Sequence, residues 1–157
     1  MKDALFGDIE HEHGWVGQCT WPLLGILLRT RLTVPCDQGA EISAVQREAY
    51  AAFGWHKAGM CKVAEDAILA YYRENLADLR ARLGRQLADQ RAPEIPGLEG
   101  LSRLVTPSEV IVQESFGSPP ERVVGLLFNC AWEPSLGLAA KFTGERLSGV
   151  GTQDIVL

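Results

Sequence analysis

Val123-Val-Gly-Leu-Leu-Phe-Asn-Cys-Ala-Trp-Glu-Pro-Ser-Leu-Gly-Leu-Ala-Ala-Lys-Phe142 is the stretch from which the fold can be read. Its first ten residues, Val123 to Trp132, are apolar for nearly their whole length, the pattern of a central strand covered on both faces. Pro134 and Gly137 then shape a tight loop, and Leu138 opens a returning strand that runs to Phe142. Trp132 is expected to close the first strand as a core plug, not as a catalytic group. Leu147 to Val150 reads as a further short strand, joined through Thr143-Gly-Glu145. Connections this short favour antiparallel hairpins, because a parallel crossover takes a dozen residues or more.

Working back toward the N-terminus, the period changes twice. Thr106-Pro-Ser-Glu109 has the look of a capping box with Pro at the first helical position, so at most one helical turn is expected before the β-rich Val110-Ile-Val-Gln-Glu. Arg91 to Gly100 holds two prolines and two glycines and reads as a connecting loop. Upstream of it, Ile68, Tyr72, Leu76, Leu79, Leu83 and Leu87 recur at three- and four-residue steps with Glu, Asp and Arg between them, predicting a long amphipathic helix over about 60–90. Gly84 either caps or interrupts it. A shorter stripe, Ile42, Val45, Ala49 and Phe53, predicts a separate helix over about 42–54 that stops near Gly54. Before that, Pro35 to Gly39 is a turn, Leu28 to Val34 alternates as a half-buried strand, and Leu5 to His13 carries a weaker edge segment. Strands, then two helices, then strands make an α+β domain, with a mostly antiparallel sheet and both helices on one face.

The chain has 157 residues, of which 46% are hydrophobic, enough for one core and too few for two, so a single domain over 1–157 is expected. A net charge of -5 argues against nucleic acid as the main partner, since phosphate binding needs clustered Lys and Arg. The N-terminal residues lack a signal-peptide pattern and no apolar run approaches ~20 residues, so a cytoplasmic protein without membrane contact is expected. Cys19, Cys36, Cys61 and Cys130 are scattered without a Cys-x-x-Cys pair and are expected to be free thiols, mostly packed.

Few residues suggest chemistry. In a strand, His11 and His13 would point to one side, as two ligands of a metal do, but a third ligand would have to come from a distant His56 or Cys19. Cys61 is placed by the two-helix reading at the start of the long helix, near Lys57 and His56, where the helix dipole favours thiolate. Tyr71-Tyr72 falls on or beside the core stripe. No catalytic residues and no cofactor are expected. What stands out is acid: Asp8, Glu10 and Glu12 at the N-terminus, and Glu94, Glu99 and Glu114 after the long helix, fit a docking face for a protein with a basic surface.

Several blocks resemble a bacterial family of unknown function. Gln46-Arg-Glu-Ala-Tyr-Ala-Ala-Phe53, Val63 to Tyr72, Leu104 to Val110, Gly125 to Leu138 and Val150-Gly-Thr-Gln-Asp-Ile155 follow one another in that family's order and cover most of the chain. The chain departs from the pattern at the turn, where Glu133 replaces an Asp and Ser135-Leu136 replaces an acidic-His pair. Some members of the family look like immunity proteins of polymorphic or type VI secretion toxins. The resemblance therefore implies a protein that binds a cognate toxin and occludes its active site. Were that toxin a nuclease or nucleotide-handling enzyme, the six acids would stand in for phosphates. The alternative is a small enzyme or a ligand- or metal-binding domain drawing on His56, Cys61, Trp132 and Asp154.

Overall fold

A computed structural model describes all 157 residues. Alternating side chains run the chain through a seven-stranded sheet in strict sequence order: β3 (Glu10–His11), β4 (Trp15–Leu23), β5 (Ile26–Val34), β6 (Val105–Gln113), β7 (Val123–Cys130), β8 (Leu138–Thr143) and β9 (Arg146–Gly151). Two short strands, β1 (Lys2–Asp3) and β2 (Gly7–Asp8), form a separate ribbon. Every neighbouring pair in the sheet is antiparallel except β5 and β6. That parallel pair is permitted because the chain between its strands is long and carries all three α-helices.

The α+β class and the mostly antiparallel sheet agree with expectation, but the division into two main helices does not. α1 (Ala44–Leu83) is a single helix of 40 residues, about 60 Å long at 1.5 Å per residue. Gly54 and Gly59 sit inside it on its solvent side, where an added Cβ would meet nothing within 4 Å. Each glycine weakens the helix by only about 1 kcal/mol relative to Ala. Phe53, Met60, Cys61 and Ala64 are all buried, so tertiary packing carries the helix across the gap. Lys57 joins the two apolar stripes by laying its ammonium 5.5 Å from the Phe53 ring centre and donating to the Thr20 carbonyl at 2.7 Å. The true stop is Gly84, whose φ of 80° turns the chain before α2 (Arg85–Arg91) and the short α3 (Leu98–Leu101). No helical turn forms at Thr106-Pro-Ser-Glu109: these residues lie in β6, with a bulge between Pro107 and Glu109 that takes up the proline's missing donor.

The start of α1 is built from buried polar groups. Ser43 and Gln46 form a reciprocal capping box, and the fully buried Gln46 amide also donates to the carbonyls of Pro35 at 2.6 Å and Val112 at 3.2 Å. One side chain thus joins the end of β5, the end of β6 and the helix. The N-terminal ribbon docks on the same helical turns. Arg47 grips the Asp3 carboxylate with two bonds, at 3.1 and 2.8 Å, and Phe6 stacks on Tyr50 at 4.7 Å.

Both flanks of the sheet, β4 and β9, reach α1, and 30 buried residues form one core between sheet and helix. The other face of β7 is covered too, as its apolar run requires. There Ile111, Leu127 and Ala139 pack under Val156 from the C-terminal segment. Gly125 permits that approach, since a Cβ would stand 3.0 Å from the Val156 side chain and 2.8 Å from Ile111.

Candidate functional site

The acidic residues divide among three places. Asp8, Glu10 and Glu12 come together along a groove of about 710 Å³ on the open side of β4, whose wall includes Gln18 and Arg29. Glu12 pairs with Arg31 at 3.2 Å, and Arg31 also approaches Glu109 at 3.6 Å. Asp8 and Glu10 are exposed and form no ion pair. The ribbon that carries Asp8 is fixed at its root, because the Arg47 guanidinium holds the Asp3 carboxyl well below the usual carboxylate range.

Glu94, Glu99 and Glu114 do not line that groove. Glu94 sits in a loop strapped to α1, where Tyr72 donates to Pro93 and Arg73 to Pro96. Along α1, Tyr72 is about 39 Å from Gln46, the turn on which the ribbon docks. Glu99 borders a smaller hollow of about 420 Å³ with Leu24, Lys62 and Ser102. There the buried Glu65 carboxylate accepts the Leu24 amide and locks the β4–β5 turn to the helix. Glu114 is half-buried after β6, near Cys36, whose thiol burial pushes up.

The residues suspected of chemistry are dispersed as well. Cys61 lies in the middle of α1 and not at a helix start, so no terminal dipole acts on it; burial pushes its thiol up to about 12. His56 is exposed on the helix surface, and Asp154 bonds Thr152 in a 3-10 turn (Gln153–Ile155). Trp132 packs on Tyr72 with ring centres 4.7 Å apart and is the core plug expected of it. Tyr72 is buried and Tyr71 packs beside the core. The His11–His13 pair does not share a strand face, because β3 ends at His11 and His13 falls in the bend that follows. His11 sits edge-on to Trp15 at 5.0 Å and 3.9 Å from the Cys36 sulfur. No group of three His, Cys, Asp or Glu side chains is arranged to hold a metal ion. All four cysteines are free, and Cys19, Cys61 and Cys130 are buried.

A second groove, of about 760 Å³, was not anticipated. It separates the middle of α1, at Trp55, His56 and Val63, from the β8–β9 hairpin at Arg146 and Leu147. Trp55 is 87% exposed. Its sequence signal was present: two residues beyond Phe53 on a helix, it falls about 200° round from the core stripe, an unusual place for a tryptophan.

The arrangement defines an α+β protein, a sequential sheet packed on one long helix, whose surface offers grooves. The chain belongs to a family described as a domain of unknown function (DUF6985), whose model matches residues 5–157. No curated protein and no solved structure matches it. No helix is long and apolar enough to cross a membrane.

Proposed function

We propose that this chain is a cytoplasmic immunity protein that binds a cognate toxin with a basic surface and occludes its active site. The observation that carries the reading is the trio Asp8, Glu10 and Glu12 along one groove, two of them in no ion pair although Lys2 stands opposite Asp8 and Arg29 lines the same wall. The ribbon that carries Asp8 is tied to α1 by the Asp3–Arg47 pair and the Phe6–Tyr50 stack, and Glu10 is held in β3, which lowers the conformational freedom lost on binding. Buried polar side chains such as Gln46 and Glu65 are occupied in holding elements together, which leaves the surface as the place of function. A nuclease or nucleotide-handling toxin would present a basic substrate site to these carboxylates, and complementary charge speeds such an encounter.

Co-expression with the product of the adjacent gene tests this. Rescue of growth and co-purification are expected, and Asp8→Lys combined with Glu10→Lys should slow association at least tenfold at low salt while the fold is kept. No rescue and no co-purification with any neighbouring product overturns the reading.

A further inference from the structure

β9 is the terminal strand of the sheet, and no backbone group from Arg146 to Val150 bonds to anything outside its ladder with β8. The β8–β9 turn has two central residues, Gly144 and Glu145, both at positive φ (56° and 63°). In such a hairpin the flanking pair, Thr143 and Arg146, is hydrogen-bonded, so the N–H and C=O of the next residue, Leu147, point away from β8. A bulge at Ser148 breaks the regular pattern beyond this point, so the open edge offers a partner strand the backbone groups of Leu147 as its anchor. Leu147 also lines a groove whose other wall is α1, with Trp55 and Val63 exposed. Backbone donors on one side and apolar side chains on the other are the two elements by which a strand-addition groove takes a peptide.

Charge narrows the occupant. Glu145 is consumed by two bonds to Arg122, each 2.9 Å, whereas Arg146 at the same turn forms no ion pair. A second copy of β9, Arg-Leu-Ser-Gly-Val-Gly, carries no carboxylate to meet it. We infer that this groove binds an extended segment of a partner protein, adding as a strand to β9. Alternate apolar side chains of the segment rest on Trp55 and Val63, and a carboxylate pairs with Arg146. The inference rests on the partner-binding reading above and supplies a second contact surface for it, distinct from the acidic groove.

A random twelve-residue peptide library displayed on phage, panned against the full chain, provides the probe. Enriched peptides should alternate apolar residues around an Asp or Glu, and a synthetic copy should slow amide exchange at Leu147. Its binding should weaken at least tenfold with Trp55→Ala and with Arg146→Glu, both exposed positions whose folding is checked by circular dichroism. Panning against Arg146→Glu should select Lys or Arg in place of the acid. Failure to enrich any peptide, or binding unchanged by both variants, overturns the inference. So does self-association in sedimentation that Arg146→Glu leaves intact and that protects Leu147, which would assign the edge to a second copy. Toxin rescue that is equal in wild type and both variants removes the groove from the interface and leaves the immunity reading standing. Absence of rescue by the wild-type chain, with the peptide still bound and sensitive to both variants, supports the groove and overturns only the immunity reading.

Discussion

Asp3 and Arg47 show how much a single pair does in this chain. The carboxylate accepts two guanidinium bonds and the amides of Leu5 and Phe6, and it is nearly buried, while the arginine is 42% exposed. Solvent at the arginine end limits the pair to about 1 kcal/mol. Because the folded carboxyl titrates below its unfolded value, that stability is complete above an ordinary carboxylate pKa of about 3.9 and is lost as pH falls toward the folded value. Urea melts of wild type and Asp3→Asn should therefore differ by a constant amount from pH 8 to about 5, then converge below about pH 4. A gap as wide at pH 2.5 as at pH 7 would show that the pair does not anchor the ribbon. Asp3 was legible only as one acid among several; its partner lies 44 positions away, and no local spacing announces it. Gln46 is similar: its place in a helical block was readable, but its bonds to Pro35 and Val112 depend on where three elements meet.

At the level of elements, α1 is the instructive case. Two apolar stripes separated by Gly-Trp-His-Lys-Ala-Gly look like two helices, because glycine near a stripe's end commonly marks a stop. The helix runs on because both glycines face solvent while the residues on either side of the gap are held by sheet and core. Gly54→Ala and Gly59→Ala should each raise stability by about 0.5–1 kcal/mol in denaturant unfolding, since alanine removes the entropic cost without a clash. A loss of stability would place a bend or break where the structure has regular helix. Gly59 also lines the groove beside β9, so the same substitution reports whether peptide binding there tolerates a methyl group. By contrast, the β7–β8 and β8–β9 hairpins were readable in outline, because their turns and alternation lie within a few residues of one another, while the end of β7 at Cys130 and the bulge opposite Phe142 were not.

For the molecule as a whole, the C-terminal segment closes the structure over the face of β7 that α1 does not reach. Val156 sits on Gly125, and Gln153 donates to the Phe128 carbonyl at 3.0 Å, tying the segment to the central strand. Gly125→Ala should cost about 1–3 kcal/mol by overpacking, and Val156→Ala a similar amount by leaving Ile111 and Leu127 uncovered. Combined, they should cost less than their sum by at least about 0.5 kcal/mol, because the smaller residue makes room for the added methyl. Additive effects would mean that the segment does not rest on β7.

The sequence by itself determined the class of fold, the hairpins, the buried strand that begins at Val123 and the packing of Trp132, because alternation and turn residues encode side-chain direction over short spans. It also placed Asp8, Glu10 and Glu12 together, since they are neighbours in the chain. Only the tertiary structure decided that α1 is unbroken, that Glu94, Glu99 and Glu114 do not line the groove of the other acids, and that Trp55 shares a groove with the β8–β9 hairpin. Those facts depend on which distant surfaces meet. Contact between residues tens of positions apart is set by the packing of whole elements, and no local pattern carries it.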